Sequence, residues 1–207
     1  MGSLPGLTLG NLTKLPDLGL FRIIFYEGTK NEYYPFITRS CASSVTSYLL
    51  YRQRCGEKIS FNEDTQKWEP HDVPLIRIQF DVNDILQVGN PKPMTTSALQ
   101  MALSSHLVKS GLRQIEHPTA IAPNSSKRVH KPISLSNGFR KHVISTFIQA
   151  GLNHEIRELI VDHATQLDSS YFRPSEDQVL QEYVKAEPLL CLDESLRLKT
   201  LRSEMLD

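Results

Sequence analysis

The stretch LSNGFRKHVISTFIQAGLNHEIRELIVDHATQLDSSYFRP, residues 135–174, decides how the rest of this 207-residue chain is read. Phe139, Val143 and Phe147 recur at intervals of four, with Ile144 and Ile148 beside them, which is the period of a helix with one apolar face. Gly151 ends that pattern, and Arg140 and Lys141 lie at its start. Asn153 has the side chain to cap a second helix, expected to carry Ile156, Leu159 and Ile160 inward and to run to Asp162, with His163 at its edge. Arg140, His163 and Tyr171 therefore follow in order, separated by two helices and a short connector. Beyond the stretch, Ser175 with Gln178 has the form of a capping box opening a helix with Val179, Leu180 and Tyr183, which Pro188 is expected to end. A last charged helix is expected over residues 193–206.

Working towards the N-terminus, HPTAIAPNSSKRVHKP (117–132) reads as a basic, Pro/Ser-rich loop. A helix fits residues 95–110, with Leu99, Leu103, His106 and Leu107 on one face and Gly111 after it. Residues 57–74 are polar, aperiodic and hold Trp68, so a long surface loop is expected. Cys41, Val45, Tyr48 and Leu49 give residues 40–54 a helical stripe stopped by Gly56. FRIIFY (21–26) and YYPFI (33–37) are aromatic and β-branched, and EGTKNE between them has a hairpin-turn composition. LTLGNLTKL (7–15) is a short apolar segment that begins abruptly. The expected fold is mainly α with a small antiparallel β-sheet near the N-terminus, forming one domain over residues 1–207 with a tail at 193–207.

Composition narrows the class. With 40% hydrophobic and 22% charged residues the chain can bury a core, and no apolar run approaches the roughly 20 residues that cross a bilayer. A soluble, cytoplasmic protein is expected. Cys41, Cys55 and Cys191 are odd in number and form no CxxC, so neither a disulfide framework nor a zinc knuckle is indicated; partly buried thiols are expected. The histidines, among them His106, His117, His130, His142, His154 and His163, show no HExxH spacing, so no metal and no cofactor is assigned. Gly28-Thr29-Lys30 lacks the glycine-rich approach of a phosphate loop. The 23 basic and 23 acidic residues balance, but Lys109, Arg113, Lys127, Arg128, Lys131, Arg140 and Lys141 fall in one stretch with few acids. A local basic face of that kind can bind phosphates on a neutral protein.

The order Arg140, Ala150-Gly151-Leu152, His163 and then Tyr171 eight residues later resembles the C-terminal half of the tyrosine-type site-specific DNA recombinases, or integrases. Their pattern runs His-x-x-Arg, a helix pair joined at a Gly, Gly-His, and a Tyr eight or nine residues on. DSSYFRPSEDQVLQEY, YEGTKNEYYPFIT and YLLYRQRCGEKI resemble the archaeal branch most, so the likeness spans nearly the whole chain. It implies the DNA breaking-rejoining catalytic-domain fold, a double-stranded DNA partner with nucleoid association, and assembly as a homo-oligomer on DNA. It also implies roles: Tyr171 as nucleophile, Arg140 as phosphate clamp, His163 as proton donor or shuttle, and Lys30 on the hairpin turn as general acid. Lys127, Arg128, Lys131, Lys141 and Arg173 are the expected DNA-backbone contacts.

The sequence departs from that pattern in three places. Asn137 stands where the family has the histidine of His-x-x-Arg, replacing a titratable ring with an amide. Counting back from Pro35, the usual lysine position falls nearer Glu27 than Lys30. The family's other catalytic arginine precedes a segment resembling GSLPGLTLGNL, and an N-terminally truncated domain is expected from its absence before that segment. Taken singly, Tyr171 reads as a packed aromatic, His163 as a helix C-terminal cap, and Arg140 as a side chain lying over its helix beside Glu155 or Glu158. The alternatives are a degenerate recombinase remnant acting as a DNA- or protein-binding module, and an unrelated helical interaction protein.

Overall fold

The computed structural model describes residues 4–29, 32–112, 137–161, 174–193 and 195. Two short 3-10 turns, Leu4–Gly6 and Leu9–Asn11, lead into β1 (Leu12–Leu15) and β2 (Leu20–Ile23). Then come β3 (Phe36–Ile37), α1 (Arg39–Arg54), β4 (Ser60–Asn62), β5 (Lys67–Glu69), α2 (Ile85–Gly89) and α3 (Thr96–Lys109). The C-terminal part supplies α4 (Asn137–Gln149), α5 (His154–Ile160) and α6 (Glu176–Leu190). The architecture is mixed, about half helical with one antiparallel sheet of five strands in the order β3-β2-β1-β5-β4.

The sheet forms because alternating side chains have two different places to go. Along β2, Phe21 and Ile23 join Leu7, Leu9, Leu12, Phe25, Ala42, Leu49, Ile59, Trp68 and Leu75 in one buried cluster. Leu20 on the same strand points the other way and joins Phe36, Phe147, Leu152, Ile156, Ile160, Val179, Tyr183 and Ala186. A period of two along a strand delivers neighbours to opposite faces, so the sheet lies between α1 on one side and α4–α6 on the other. Each fully buried aromatic or aliphatic side chain in these clusters contributes about 1.5–3 kcal/mol relative to exposure. On the second face Tyr183 lies 5.4 Å from Phe36 and 6.2 Å from Phe147, ring centre to ring centre, the latter pair edge-on.

Several expectations hold. The hairpin is present, with Phe21 opposite Ile37, Arg22 opposite Phe36, and a bridge between Phe25 and Tyr33. Asn153 and Ser175 cap α5 and α6 through their side chains, the latter in a full capping box with Gln178; Thr38 and Thr95, not expected as caps, do the same for α1 and α3. Gly56 and Gly151 follow α1 and α4 with φ of +95° and +71°, the left-handed conformation in which a Cβ is costly.

Others are corrected. Residues 57–74 are not a surface loop: they hold the β4–β5 hairpin, and Trp68 is buried edge-on to Phe61. Three-residue strands are too short to show a period, and β5 gains its place by pairing Lys67 with Thr13 rather than by its own composition. LTLGNLTKL supplies the middle strand of the sheet, so the sheet is larger than one hairpin and helix takes only about half of the described residues. Leu159 lies on the solvent side of α5, 43% exposed, while Ile156 and Ile160 are buried. Pro188 does not end α6, which continues to Leu190 with the buried ring inside its last turn. The thiols differ: Cys191 is buried, Cys55 half-buried and Cys41 exposed. The helix expected over residues 193–206 lies outside the described residues, apart from positions 193 and 195.

Candidate functional site

The residues singled out from sequence divide into two sets. Asn137, Arg140 and Lys141 are described, and all three lie on the exposed opening of α4. Tyr171, His163, Arg173, Lys30, Lys127, Arg128 and Lys131 lie outside the described residues.

The opening of α4 is electrostatically unusual. A helix N-terminus carries about half a positive charge, so acids there stabilise and bases cost about 0.3–1 kcal/mol each. The first turn of α4 has no acid, and Arg140, Lys141 and His142 follow one another on exposed positions. An anion placed there gains from the helix end and from the guanidinium together, and a planar fork suits two oxygens of a phosphate.

What fixes α4 is the rest of its own face. Thr146 and Phe147 are buried, while Phe139 is 62% exposed, so the helix is anchored by its C-terminal half and presents its N-terminal half to solvent. Gly151 then turns the chain, and Asn153 Oδ1 accepts hydrogen bonds from the amides of Glu155 and Ile156 at 2.9 and 3.3 Å. Glu182 of α6 accepts from the Asn153 amide at 3.1 Å, tying α5 to α6. The hydrogen bond from Lys185, then that from the Asn153 amide, holds the Glu182 carboxyl below the usual carboxylate range. Past the connector, Ser175 Oγ accepts from the Gln178 amide at 3.2 Å, and Gln178 Oε1 accepts from the Ser175 amide at 2.9 Å. The Ser175 cap thus lies directly after the segment carrying His163 and Tyr171 in sequence, while the Asn153 cap lies at the opposite end of the helix before it.

Tyr183 is the other tyrosine of the C-terminal part. It is 3% exposed, and burial, reinforced by the nearby Glu187 charge, pushes its phenol well above the usual range. A hydroxyl in that setting is a packing group and a poor nucleophile.

The sequence reading missed a buried ionic cluster on the α1 side of the sheet. Arg52 is fully buried and donates from Nε to Glu57 Oε2 at 3.0 Å, from Nη2 to Glu57 Oε1, and from Nη1 to the Pro74 and Leu75 carbonyls, both at 2.9 Å. Arg77 donates from Nη1 to Glu57 Oε2 at 2.7 Å and from Nη2 to the Gln87 carbonyl at 2.6 Å, with its guanidinium 3.8 Å from the Phe80 ring centre. Burial alone raises the Glu57 carboxyl, but the hydrogen bonds and charges of the two arginines outweigh it and hold the group below its usual value. The signal was available: Arg52 continues the buried stripe of α1, four residues after Tyr48 and three after Leu49. A cavity of about 320 Å³ opens beside Arg77 and is lined also by Phe80, Leu86, Gln87 and Lys92.

Among the described residues no group of His, Cys, Asp and Glu is arranged to hold a metal ion, and no helix is long and apolar enough to cross a membrane. Comparison with protein-family models, curated proteins and solved structures finds no match to this chain.

Proposed function

We propose that the chain is the catalytic domain of a tyrosine-type DNA recombinase of the integrase family, acting on double-stranded DNA as a homo-oligomer. The observation that carries the reading is the opening of α4, where Arg140 and Lys141 stand side by side on exposed positions of a helix anchored by its other half. The burial of Tyr183 supports it, because a buried phenol is a poor rival nucleophile in the C-terminal part.

In this reading Arg140 binds two non-bridging oxygens of the scissile phosphate and neutralises the charge that grows on them in the pentavalent transition state. The Tyr171 oxygen attacks phosphorus, the bond to the 5′ oxygen breaks, and a 3′-phosphotyrosyl ester forms. Lys30 gives the leaving oxygen its proton, and His163, as proton shuttle, takes up the one that the Tyr171 hydroxyl loses. Lys127, Arg128, Lys131, Lys141 and Arg173 contact the backbone on either side. The ester conserves the energy of the cleaved bond, so the 5′-hydroxyl of a partner strand can reverse the step without nucleotide hydrolysis.

Asn137 favours a second reading, a remnant that binds DNA or protein without turnover. An amide keeps a hydrogen bond but has no proton to shuttle at neutral pH. A nicked suicide duplex, which loses its 5′-hydroxyl fragment and traps the ester, separates the two. The expected result is a covalent protein–DNA species that maps to Tyr171 and vanishes in Tyr171→Phe. Binding without any adduct establishes the second reading, and an adduct at Tyr183 overturns the site.

A further inference from the structure

Glu176 is the first residue of α6, and both of its carboxylate oxygens lie 2.6 Å from Nη1 of Arg22 in β2. The two residues are 154 positions apart in sequence. Arg22 alternates with Phe21 and Ile23 and so lies on the face covered by α4–α6, flanked in register by Phe36 of β3 and Thr13 of β1. The strand continues through the Phe25–Tyr33 bridge into the turn whose sequence carries Lys30. Glu176 stands five residues after Tyr171.

The contacts beneath α6 differ in how much they specify. Val179, Tyr183 and Ala186 pack against Phe36, Phe147 and the other apolar residues of that face. Such contacts hold a helix down, yet they are non-directional and lose little when it slides by a fraction of an ångström. A charge-assisted hydrogen bond at 2.6 Å is directional and is lost by a shift of about 1 Å. Near the other end of α6, Glu187 Oε1 accepts from the Arg39 amide at 2.9 Å, which fixes the C-terminal turns on α1. Arg22 fixes the first turn on the sheet.

We propose that Arg22 and Glu176 are positioning residues, whose ion pair sets the register between the hairpin leading to Lys30 and the helix following Tyr171. The pair touches no reacting atom. It joins the strand that leads into the 26–29 turn to the first turn of α6, and its role in positioning rests on the recombinase reading above.

The test uses the full chain with Arg22→Gln, Glu176→Gln and the exchanged pair Arg22→Glu with Glu176→Arg. Three quantities are measured: the first-order rate of the Tyr171 adduct at saturating nicked duplex, the Kd for DNA, and hydrogen exchange at the Phe25, Tyr33 and Val179 amides. These amides bond to Tyr33, Phe25 and Ser175 carbonyls, so they report the hairpin and the start of α6. Each single substitution is expected to slow adduct formation roughly ten- to a hundredfold, the effect of a displacement near 1 Å. DNA affinity stays within about twofold, because the pair meets no phosphate, and exchange rises in both segments together. The exchanged pair regains part of the rate, short of the parent because an arginine opposes the positive end of α6. A structural role alone would lower thermal stability and affinity together and show no recovery. Single variants with parental rate and parental exchange overturn the positioning role while the recombinase reading stands. A parent without a Tyr171 adduct overturns both.

Discussion

The two faces of the sheet are built from different parts of the chain and by different forces. The face towards α1 draws its buried residues from positions 7–75 and holds the ionic cluster of Arg52, Glu57 and Arg77 in its depth. The opposite face takes Leu20 and Phe36 from the sheet and all its other buried members from positions 147–186. Its core is apolar, and its charged contacts sit at the two ends of α6. The first face is a scaffold assembled from near neighbours in sequence. The second is a docking surface where a distant segment is brought to the sheet, and it is there that Arg140 is exposed.

The largest break in this comparison is expected at Glu57. Removing one partner of a buried ionic group leaves the others uncompensated, at about 3–5 kcal/mol for a buried pair. Glu57→Ala strands two buried guanidinium groups, so the loss should fall in that range and appear as a lower denaturant midpoint at pH 7. The pH dependence follows from the lowered carboxyl. Because its folded value lies below the unfolded one, near 4.3, Glu57 contributes stability that is fully present above that pH. The contribution is lost as pH falls through the folded value. The gap between parent and Glu57→Gln should therefore be constant from pH 5 to 7 and narrow below about pH 4.3. A gap of constant size down to pH 2 would mean that the carboxylate is not what stabilises the parent.

How much of each face was legible follows from the same contrast. The helices α5 and α6 were readable because Asn153 and Ser175 act on amides two or three residues away, and α1, α3 and the hairpin of β2 and β3 because their apolar stripes and turn residues lie within one short window. The strands β1, β4 and β5 were not. β4 and β5 form a local hairpin but are three residues each, too short to show a period, and the sheet they join is set by Thr13 pairing with Lys67, 54 positions away. Arg52 stood on the stripe of α1 and so carried a signal, whereas Arg77 shows no mark of burial until Glu57 and the Gln87 carbonyl are placed around it. Of the candidate site, the exposed start of α4 could be read from Arg140 and Lys141 in a helical period, but the ion pair of Arg22 with Glu176 joins segments that sequence keeps far apart.

The smallest effect sharpens the comparison on α5, where three aliphatic residues look alike in sequence and differ in place. Ile156 and Ile160 face the sheet-side cluster, 6% and 9% exposed, while Leu159 is 43% exposed. Trimming one methylene from a buried isoleucine costs about 0.5–1.5 kcal/mol, so Ile156→Val should lower stability by about 1 kcal/mol in urea unfolding. Leu159→Ser removes more apolar surface, but from water, and should stay within about 0.5 kcal/mol of the parent. The inequality matters more than either value, since composition alone orders the two the other way. If Leu159→Ser proves the more damaging, α5 is rotated so that Leu159 faces the core.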